Sequence, residues 1–221
     1  MVSKTKKSDY KVIGTRPIRH DGYDKVTGRA QYGADIKLPG MIFGAVLRSP
    51  HAHAKIINID TSKAENMNGV FAVMTAKDLP RLTDKQRGNS EESGSEKHLS
   101  ENVMALDKVL YKGHVVAAVS AKDINTAREA VKKIIVDYKV LKPVINVDQA
   151  MEKGAPILHE DFIGDHLGKK VKKTNIATYN RYKIGNADDA FKKCDLIVEK
   201  EVELQTVHQG YIEPHSGTAI W

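Results

Sequence analysis

Histidine and glutamate side chains near the end of the sequence form its densest group of residues that could do chemistry. His208, Glu213 and His215 lie within one stretch of eight residues. A carboxylate between two imidazoles can transfer protons or hold a metal ion. It can also serve as a structural carboxylate that holds loops together, and the spacing alone favours this structural role.

A second pair of imidazoles, His51 and His53, lies in a turn that contains Pro50. Two residues apart on an extended backbone, they would share one face and could both bind a metal ion. No third ligand is close in the sequence, so the favoured role is that of a hydrogen-bonding group in the turn or of an interface group. Because proline cannot donate to a β-ladder, the apolar runs on either side, residues 42–47 and 55–59, are predicted to be separate strands.

The single cysteine, Cys194, precedes the apolar run 196–198. One thiol excludes an internal disulfide and any zinc or iron–sulfur site built only from cysteines of this chain. Its neighbours predict a buried structural thiol rather than a nucleophile. The sequence also contains no phosphate-binding loop, no dinucleotide-binding fingerprint and no Ser–His–Asp set. Residue types and spacing alone therefore indicate a protein without a self-contained active site.

The chain is moderately basic, with 35 lysine and arginine residues against 28 aspartate and glutamate residues and a formal net charge of +7. Lysines cluster in residues 4–7 and 169–173. Such runs can follow the phosphates of a nucleic acid or a membrane. No aromatic residue is interleaved with residues 169–173, so a solvated tail and loop are favoured. No apolar stretch approaches the roughly 18 residues of a membrane span, which predicts a cytoplasmic protein.

The elements that position these residues are predicted from hydrophobic periodicity and from capping residues. Asp123 is expected to cap a helix that runs to about residue 133, because apolar residues recur there at helical spacing. Ile57 and Ile59 alternate with polar residues, which is the period of a half-buried strand. Further expected strands are 70–74, a pair formed by 109–111 and 115–120, 135–140 and 195–206; short helices are 62–66, 148–153 and 186–193; loops are 81–100 and 164–174.

Many short motifs, each weak alone, occur in order along almost the whole chain. They are residues 15–22, 25–32 with Asp35, 38–41, 47–54, 59–60, 69–70, 76–78, 111–113, 116–119, 127–130, 136–138, 185–191, His208 with 213–215, and 219–221. Together they resemble the large subunits of the molybdenum hydroxylases, the family of xanthine dehydrogenase, aldehyde oxidase and aerobic carbon monoxide dehydrogenase. One departure is Asn186, which stands where the family usually has aspartate.

The resemblance implies an α+β fold in three parts. Residues 1–13 would be a flexible tail, residues 14–140 an a/b hammerhead domain, and residues 141–221 the incomplete beginning of a molybdopterin-binding domain. The family oxidises a purine, aldehyde, heteroaromatic ring, aromatic thioester or carbon monoxide at a molybdenum–molybdopterin cofactor, with water as the oxygen source. The chain would be the N-terminal part of such an oxidoreductase subunit, with a structural and interface role.

No catalytic, cofactor-binding or metal-binding residue is carried over from the family, because its active-site motifs lie beyond Trp221. The residues His208, Glu213 and His215 would be structural groups, one layer behind those that touch the cofactor. The chain alone is expected to bind no cofactor and to be inactive.

The resemblance also implies partners. They are a cofactor-domain polypeptide, an iron–sulfur subunit and a FAD subunit, assembled as an oligomer, with neither nucleic acid nor membrane. One alternative is a stand-alone, non-catalytic binding or assembly protein with the hammerhead fold. Another is a nucleic-acid binder that uses residues 169–173.

Overall fold

The computed structural model describes residues 11–80 and 96–220, with the backbone alone for residues 96–99. The chain divides into two compact units. The larger unit is Met41–Glu199, and the smaller one combines Met1–Gly40 with Lys200–Trp221. Helices and strands occur together, as the expected α+β class requires.

The strands within the described residues are, in chain order, β1 (Phe43–Arg48), β2 (Ala54–Asp60), β3 (Val70–Thr75), β4 (Lys108–Val109), β5 (Val115–Ala121), β6 (Ile135–Val140), β7 (Ile163–His166), β8 (Lys169–Lys172) and β9 (Thr178–Tyr179). The helices are α1 (Gly22–Thr27), α2 (Ser62–Glu65), α3 (Glu96–Val103), α4 (Ile124–Val131), α5 (Val147–Met151) and α6 (Ala187–Phe191).

Two antiparallel sheets form the core of the larger unit, and β5 is the central strand of the first. The order of that sheet is β1-β5-β3. The sequence of β5 is almost wholly apolar and small, which is typical of a strand covered on both faces. In the second sheet, β2 lies between β4 and β6. The predicted pairing of residues 109–111 with 115–120 is therefore wrong, because β4 and β5 belong to different sheets.

The core contains two apolar clusters that share residues of β2 and β6. The buried members of the first cluster are Ala64, Ala117, Val119, Ala130 and Ile134. Those of the second are Ala54, Ala105, Val109 and Val116. Ile59 and Val136 pack against both clusters, so the two sheets share one continuous core.

A β-bulge in β2 decides which isoleucines face this core. Ile56 and Asn58 have partners on β6, whereas Ile57 between them has none. The extra residue shifts the alternation by one position, so Ile57 is exposed while Ile56 and Ile59 pack inward. The regular alternation predicted for Ile57 and Ile59 is therefore wrong.

Helix α4 begins where the sequence predicts. The Asp123 carboxylate accepts hydrogen bonds from the backbone amide and the hydroxyl of Thr126, each 2.7 Å long. These two bonds favour the ionised carboxylate and lower the pKa of Asp123. Ala127 and Ala130 are fully buried on the face that packs on β1 and β5. The predicted cap and apolar face are confirmed.

A third sheet, of order β8-β7-β9, replaces the loop expected over residues 164–174. Gly164 permits its packing, because a Cβ there would lie 2.4 Å from the carbonyl oxygen of Ile176. The Asn175 side chain makes three hydrogen bonds to the backbone of residues 150–158. The lysine-rich β8 has little of the apolar pattern that predicts strands, so backbone pairing decides its structure.

Residues 195–220 contain no helix or strand, so the long strand expected over residues 195–206 is wrong. Apolar side chains in that stretch, such as Val198 and Leu204, are exposed. Alternation alone does not make a strand, because a strand needs a neighbour for its backbone groups. Residues 81–95 of the loop expected over residues 81–100 lie outside the described residues, and residues 96–100 belong to α3.

The smaller unit contains α1, which ends at a glycine in the left-handed conformation. Gly28 has a φ of +75° and donates its amide to the carbonyl of Asp24. Glycine adopts this conformation without a steric penalty, so it is a common residue at helix ends. A single 3₁₀ turn at Gly33–Asp35 follows.

Candidate functional site

Three segments of the larger unit meet at a corner that holds three histidines. We call it the histidine corner; it comprises residues 48–53, 111–114 and 138–142. The amide of Ser49 donates to the carbonyl of His114 at 2.8 Å, and the amide of Gly113 donates to the carbonyl of Ser49 at 2.9 Å. The Arg48 side chain adds a hydrogen bond to the Gly113 carbonyl at 2.9 Å. These reciprocal bonds join the turn after β1 to the turn before β5.

His114 is completely buried, and both of its ring nitrogens have backbone partners. Nδ1 accepts a hydrogen bond from the amide of Leu110 at 3.2 Å, so the proton lies on Nε2. Nε2 donates to the carbonyl of Glu101 at 2.8 Å. Burial lowers the pKa of His114, because a charged ring would lose its hydration and also the Leu110 bond. The ring is therefore a neutral structural group of one tautomer.

His114 and Tyr111 together cap the C-terminal end of α3. The hydroxyl of Tyr111 donates to the carbonyl of Asn102 at 2.8 Å, next to the Glu101 carbonyl bound by His114. The two rings stack with centroids 4.3 Å apart. Because the last carbonyls of a helix have no partner within the helix, these side chains satisfy groups that would otherwise be unpaired. No role was assigned to His114 from the sequence, so this function of the ring was missed.

His51 and His53 do not share partners, so the structure does not form the metal pair that their spacing allows. The ring of His51 contacts the edge of Tyr138, with centroids 5.0 Å apart. His53 is buried, and its Nδ1 donates to the carbonyl of Lys142 at 2.7 Å. Nε2 of His53 is buried without a hydrogen-bond partner in the described residues. The predicted role of hydrogen bonding within the turn is wrong for both rings, because His53 binds a carbonyl 89 residues away and His51 contacts an aromatic ring.

The smaller unit brings two of the three candidate residues at its end together. The rings of His208 and His215 lie 6.2 Å apart between centroids, and Tyr211 lies 5.2 Å from each. The Tyr211 hydroxyl is 2.9 Å from Nε2 of His215. Glu213 faces elsewhere and accepts a long hydrogen bond of 3.4 Å from the amide of Gly33. A tyrosine, rather than the carboxylate, therefore connects the imidazoles.

No group of three or more histidine, cysteine, aspartate or glutamate side chains in residues 11–80 and 96–220 is placed to hold a metal ion. Cys194 is exposed, and its thiol lies 3.2 Å from the carbonyl of Ala190. The predicted buried thiol is wrong, because the apolar run 196–198 that was expected to cover it is itself exposed.

Two family models match the chain in succession. The first is described as the a/b hammerhead domain of aldehyde oxidase and xanthine dehydrogenase and covers residues 27–142. The second is described as a molybdopterin cofactor-binding domain and covers residues 168–221. These two matches agree with the antiparallel sheets and helices described above. They define the class of the protein, which is a large-subunit polypeptide of a molybdenum hydroxylase with an α+β fold. The chain belongs to the aldehyde oxidase and xanthine dehydrogenase family, which confirms the resemblance inferred from the sequence.

Similar proteins include large subunits with several named substrates. The chain is 30% identical to the nicotinate dehydrogenase large molybdopterin subunit of Eubacterium barkeri, over 96% of this chain and 45% of that protein. It is 36% identical to the carbon monoxide dehydrogenase large chain of Afipia carboxidovorans, over 91% of this chain and 24% of that protein. The chain therefore spans between a quarter and a half of the length of these relatives.

A solved structure supports the same fold. A crystal structure of a Cu,Mo-dependent carbon monoxide dehydrogenase matches with a TM-score of 0.62 and 34% identity, over 83% of this chain and 23% of that chain. Quinoline 2-oxidoreductase from Pseudomonas putida 86 matches with a TM-score of 0.56 and 29% identity, over 68% and 19%. Within the described residues, no helix is long and apolar enough to cross a membrane.

The candidate residues of the smaller unit do not fit a preformed cradle for a molybdopterin cofactor. The three side chains are exposed, and each already has a partner: His215 contacts Tyr211, and Glu213 accepts from Gly33. Nδ1 of His208 accepts from a neighbouring amide at 3.0 Å. We therefore assign no cofactor contact to this segment, and its position behind the cofactor-binding residues stays a prediction.

Proposed function

We propose that this chain supplies the a/b hammerhead domain and the beginning of the molybdopterin-binding domain of a molybdenum hydroxylase. The observation that carries the proposal is the succession of the two family matches, residues 27–142 and then 168–221, in one chain. The domain division at residues 14–140 and 141–221 is part of the proposal. The chain would correspond to the N-terminal part of the large subunit.

The role of the chain in that enzyme is structural. Its buried histidines serve the backbone: His114 binds two backbone groups, and His53 binds the carbonyl of Lys142. Such bonds stiffen the corner, and the two backbone partners of His114 hold that ring in a structural role. The core shared by the two sheets gives a rigid body on which other polypeptides can assemble.

Chemistry would come from the molybdenum cofactor, which oxidises substrates with water as the source of oxygen when it is bound in the complete enzyme. The polypeptides proposed to complete the assembly are a cofactor-domain polypeptide, an iron–sulfur subunit and a FAD subunit. The names of the relatives place nicotinate, xanthine, aldehydes and carbon monoxide among the substrates to test.

The proposal is tested by purifying the native assembly through an affinity tag on this chain. Molybdenum is measured by mass spectrometry of the metal, and dye reduction is followed with nicotinate, xanthine, an aldehyde and carbon monoxide. We expect molybdenum and activity to co-purify with the assembly and to be absent from the isolated chain. Turnover by the isolated chain would refute the structural role. A folded native chain that purifies without molybdenum and without partners would instead favour the stand-alone binding protein.

A further inference from the structure

The positive charge of the larger unit is concentrated on its third sheet and on the segment that follows it. Residues 163–183 contain one carboxylate and six cationic side chains. The cationic residues are Lys169, Lys170, Lys172, Lys173, Arg181 and Lys183. All six are exposed. The whole chain has a net charge of only +7, so this short stretch carries most of it.

The one carboxylate of residues 163–183, that of Asp165, already has two partners. Asp165 accepts a hydrogen bond from the amide of Gly168 at 2.8 Å and forms an ion pair with Lys170 at 2.9 Å. Lys169, Lys172 and Lys173 form no ion pair within the described parts of the chain. Three cationic groups are therefore available to an outside partner.

The hairpin formed by β7 and β8, residues 163–172, places an unusual residue at its tip. His166 pairs with Lys169, which leaves Leu167 and Gly168 as a two-residue turn. Both have a positive φ, +53° and +79°, as a type I′ turn requires. Asparagine or glycine usually fills the first position of such a turn, because leucine is strained there. Leu167 is nevertheless half exposed.

An aromatic side chain lies beside this tip. The amide of Leu167 donates to the carbonyl of Tyr179 at 2.9 Å, and the half-exposed Tyr179 ring lies against His166. The tip thus places a leucine beside a tyrosine ring, with Lys169 next to the turn, and the other lysines follow along β8 to Lys172, which pairs with Ile163 at the far end of the hairpin. Residues with a strained backbone conformation are concentrated at functional sites, and ligand-binding sites are one example.

We propose that this hairpin is a docking surface for an acidic protein, with Leu167 as its apolar anchor. A second copy of the chain is a poor occupant, because its lysines would face these lysines. A nucleic acid would use the cations and could stack a base on Tyr179, but it would leave the strained Leu167 without a role. An acidic protein surface with a small apolar pocket matches both features.

The occupant is an acidic polypeptide of the same assembly, so the inference rests on the proposed function. The test measures the dissociation constant between the chain and the polypeptides released from its native assembly, at about 0.05 and 0.5 M NaCl. Two variants probe the surface. One reverses three charges (Lys169→Glu, Lys172→Glu, Lys173→Glu), and the other is Leu167→Asn. The matched control reverses three exposed lysines elsewhere (Lys63→Glu, Lys77→Glu, Lys153→Glu).

Charge reversal on the hairpin should weaken binding about 100-fold at low salt and remove most of its salt dependence. Leu167→Asn should weaken binding about tenfold although asparagine suits the turn better, so a folding defect cannot explain the loss. The control should stay within about twofold of the wild type.

Unchanged binding of both hairpin variants, with the assembly intact, would overturn the docking surface and leave the proposed function standing. If the control variant weakened binding equally, the effect would come from net charge, and this result would also overturn the docking surface. A chain without any partner polypeptide would overturn both proposals. Salt-sensitive binding of a single-stranded oligonucleotide, lost on charge reversal, would assign the surface to nucleic acid instead.

Discussion

Replacing His114 by leucine should strongly destabilise the larger unit. Leucine is apolar and of similar size, but it offers neither a donor nor an acceptor. The partly buried amide of Leu110 and the carbonyl of Glu101 would each lose this partner. A buried backbone group that loses its hydrogen bond costs about 1–3 kcal/mol, so we expect the free energy of unfolding to fall by about 2–5 kcal/mol at pH 7.

The same histidine should make stability depend on pH in a definite direction. Its pKa in the folded protein is lowered by burial below the ordinary value of 6.5. The unfolded chain therefore binds more protons below pH 6.5, and acidification favours unfolding. The stability that the neutral His114 ring contributes is fully present above pH 6.5, and it is lost as the pH falls below that value. Between pH 7 and pH 5.5 it can reach at most about 1.2 kcal/mol.

Urea denaturation of the wild type and the His114→Leu variant at both pH values measures these two effects. Because the variant lacks this titrating ring, the difference in stability should be largest at pH 7 and should narrow at pH 5.5. His51→Leu is the matched control, since that ring has only an edge contact with Tyr138, and it should cost about 1 kcal/mol or less. A His114→Leu variant no less stable than the control, or a difference that widens on acidification, would refute the reasoning.

Three further changes test other parts of the structure. Leu167→Asn should raise the free energy of unfolding by about 1 kcal/mol, measured in urea, because asparagine tolerates the left-handed conformation; a loss of stability would contradict the assigned turn. Asp123→Ala should lower the melting temperature by about 2–4 °C in a calorimetric scan, because the Thr126 amide at the start of α4 loses its acceptor. Asp123→Asn, which can still accept, should recover most of that loss. The Cys194 thiol should react with a disulfide reagent in the native protein as fast as in urea, and slow native reaction would show that it is covered.

Helix α4 and the turn after β1 could be predicted because their causes are local. Asp123 and its partner Thr126 are three residues apart, and Pro50 acts on its immediate neighbours. The short helices α5 and α6 follow from similar caps, in which Asn146 and Asn186 accept from amides three residues ahead. Asparagine is a favoured residue at such a cap, so Asn186 fits its position at the start of α6.

The strand partners could not be predicted from local patterns. β5 pairs with β1 and β3, which are separated from it by dozens of residues, and β4 pairs with β2. The bulge at Ile57 depends on the register of β2 against β6, which lies far along the chain. The hairpin of β7 and β8 depends on backbone pairing in a segment whose side chains are mostly polar.

The sequence by itself determined the family, because motifs that occur in order over almost the whole chain can be recognised without a tertiary structure. It also determined the helices and turns whose caps and turn residues are local. Only the tertiary structure decided what the candidate residues do. His51 and His53 diverge, His114 caps a helix, and Glu213 binds a distant amide instead of linking the imidazoles. The physical reason is that a polar group takes whichever partner the fold brings within hydrogen-bonding distance, and that partner is often far away in the sequence.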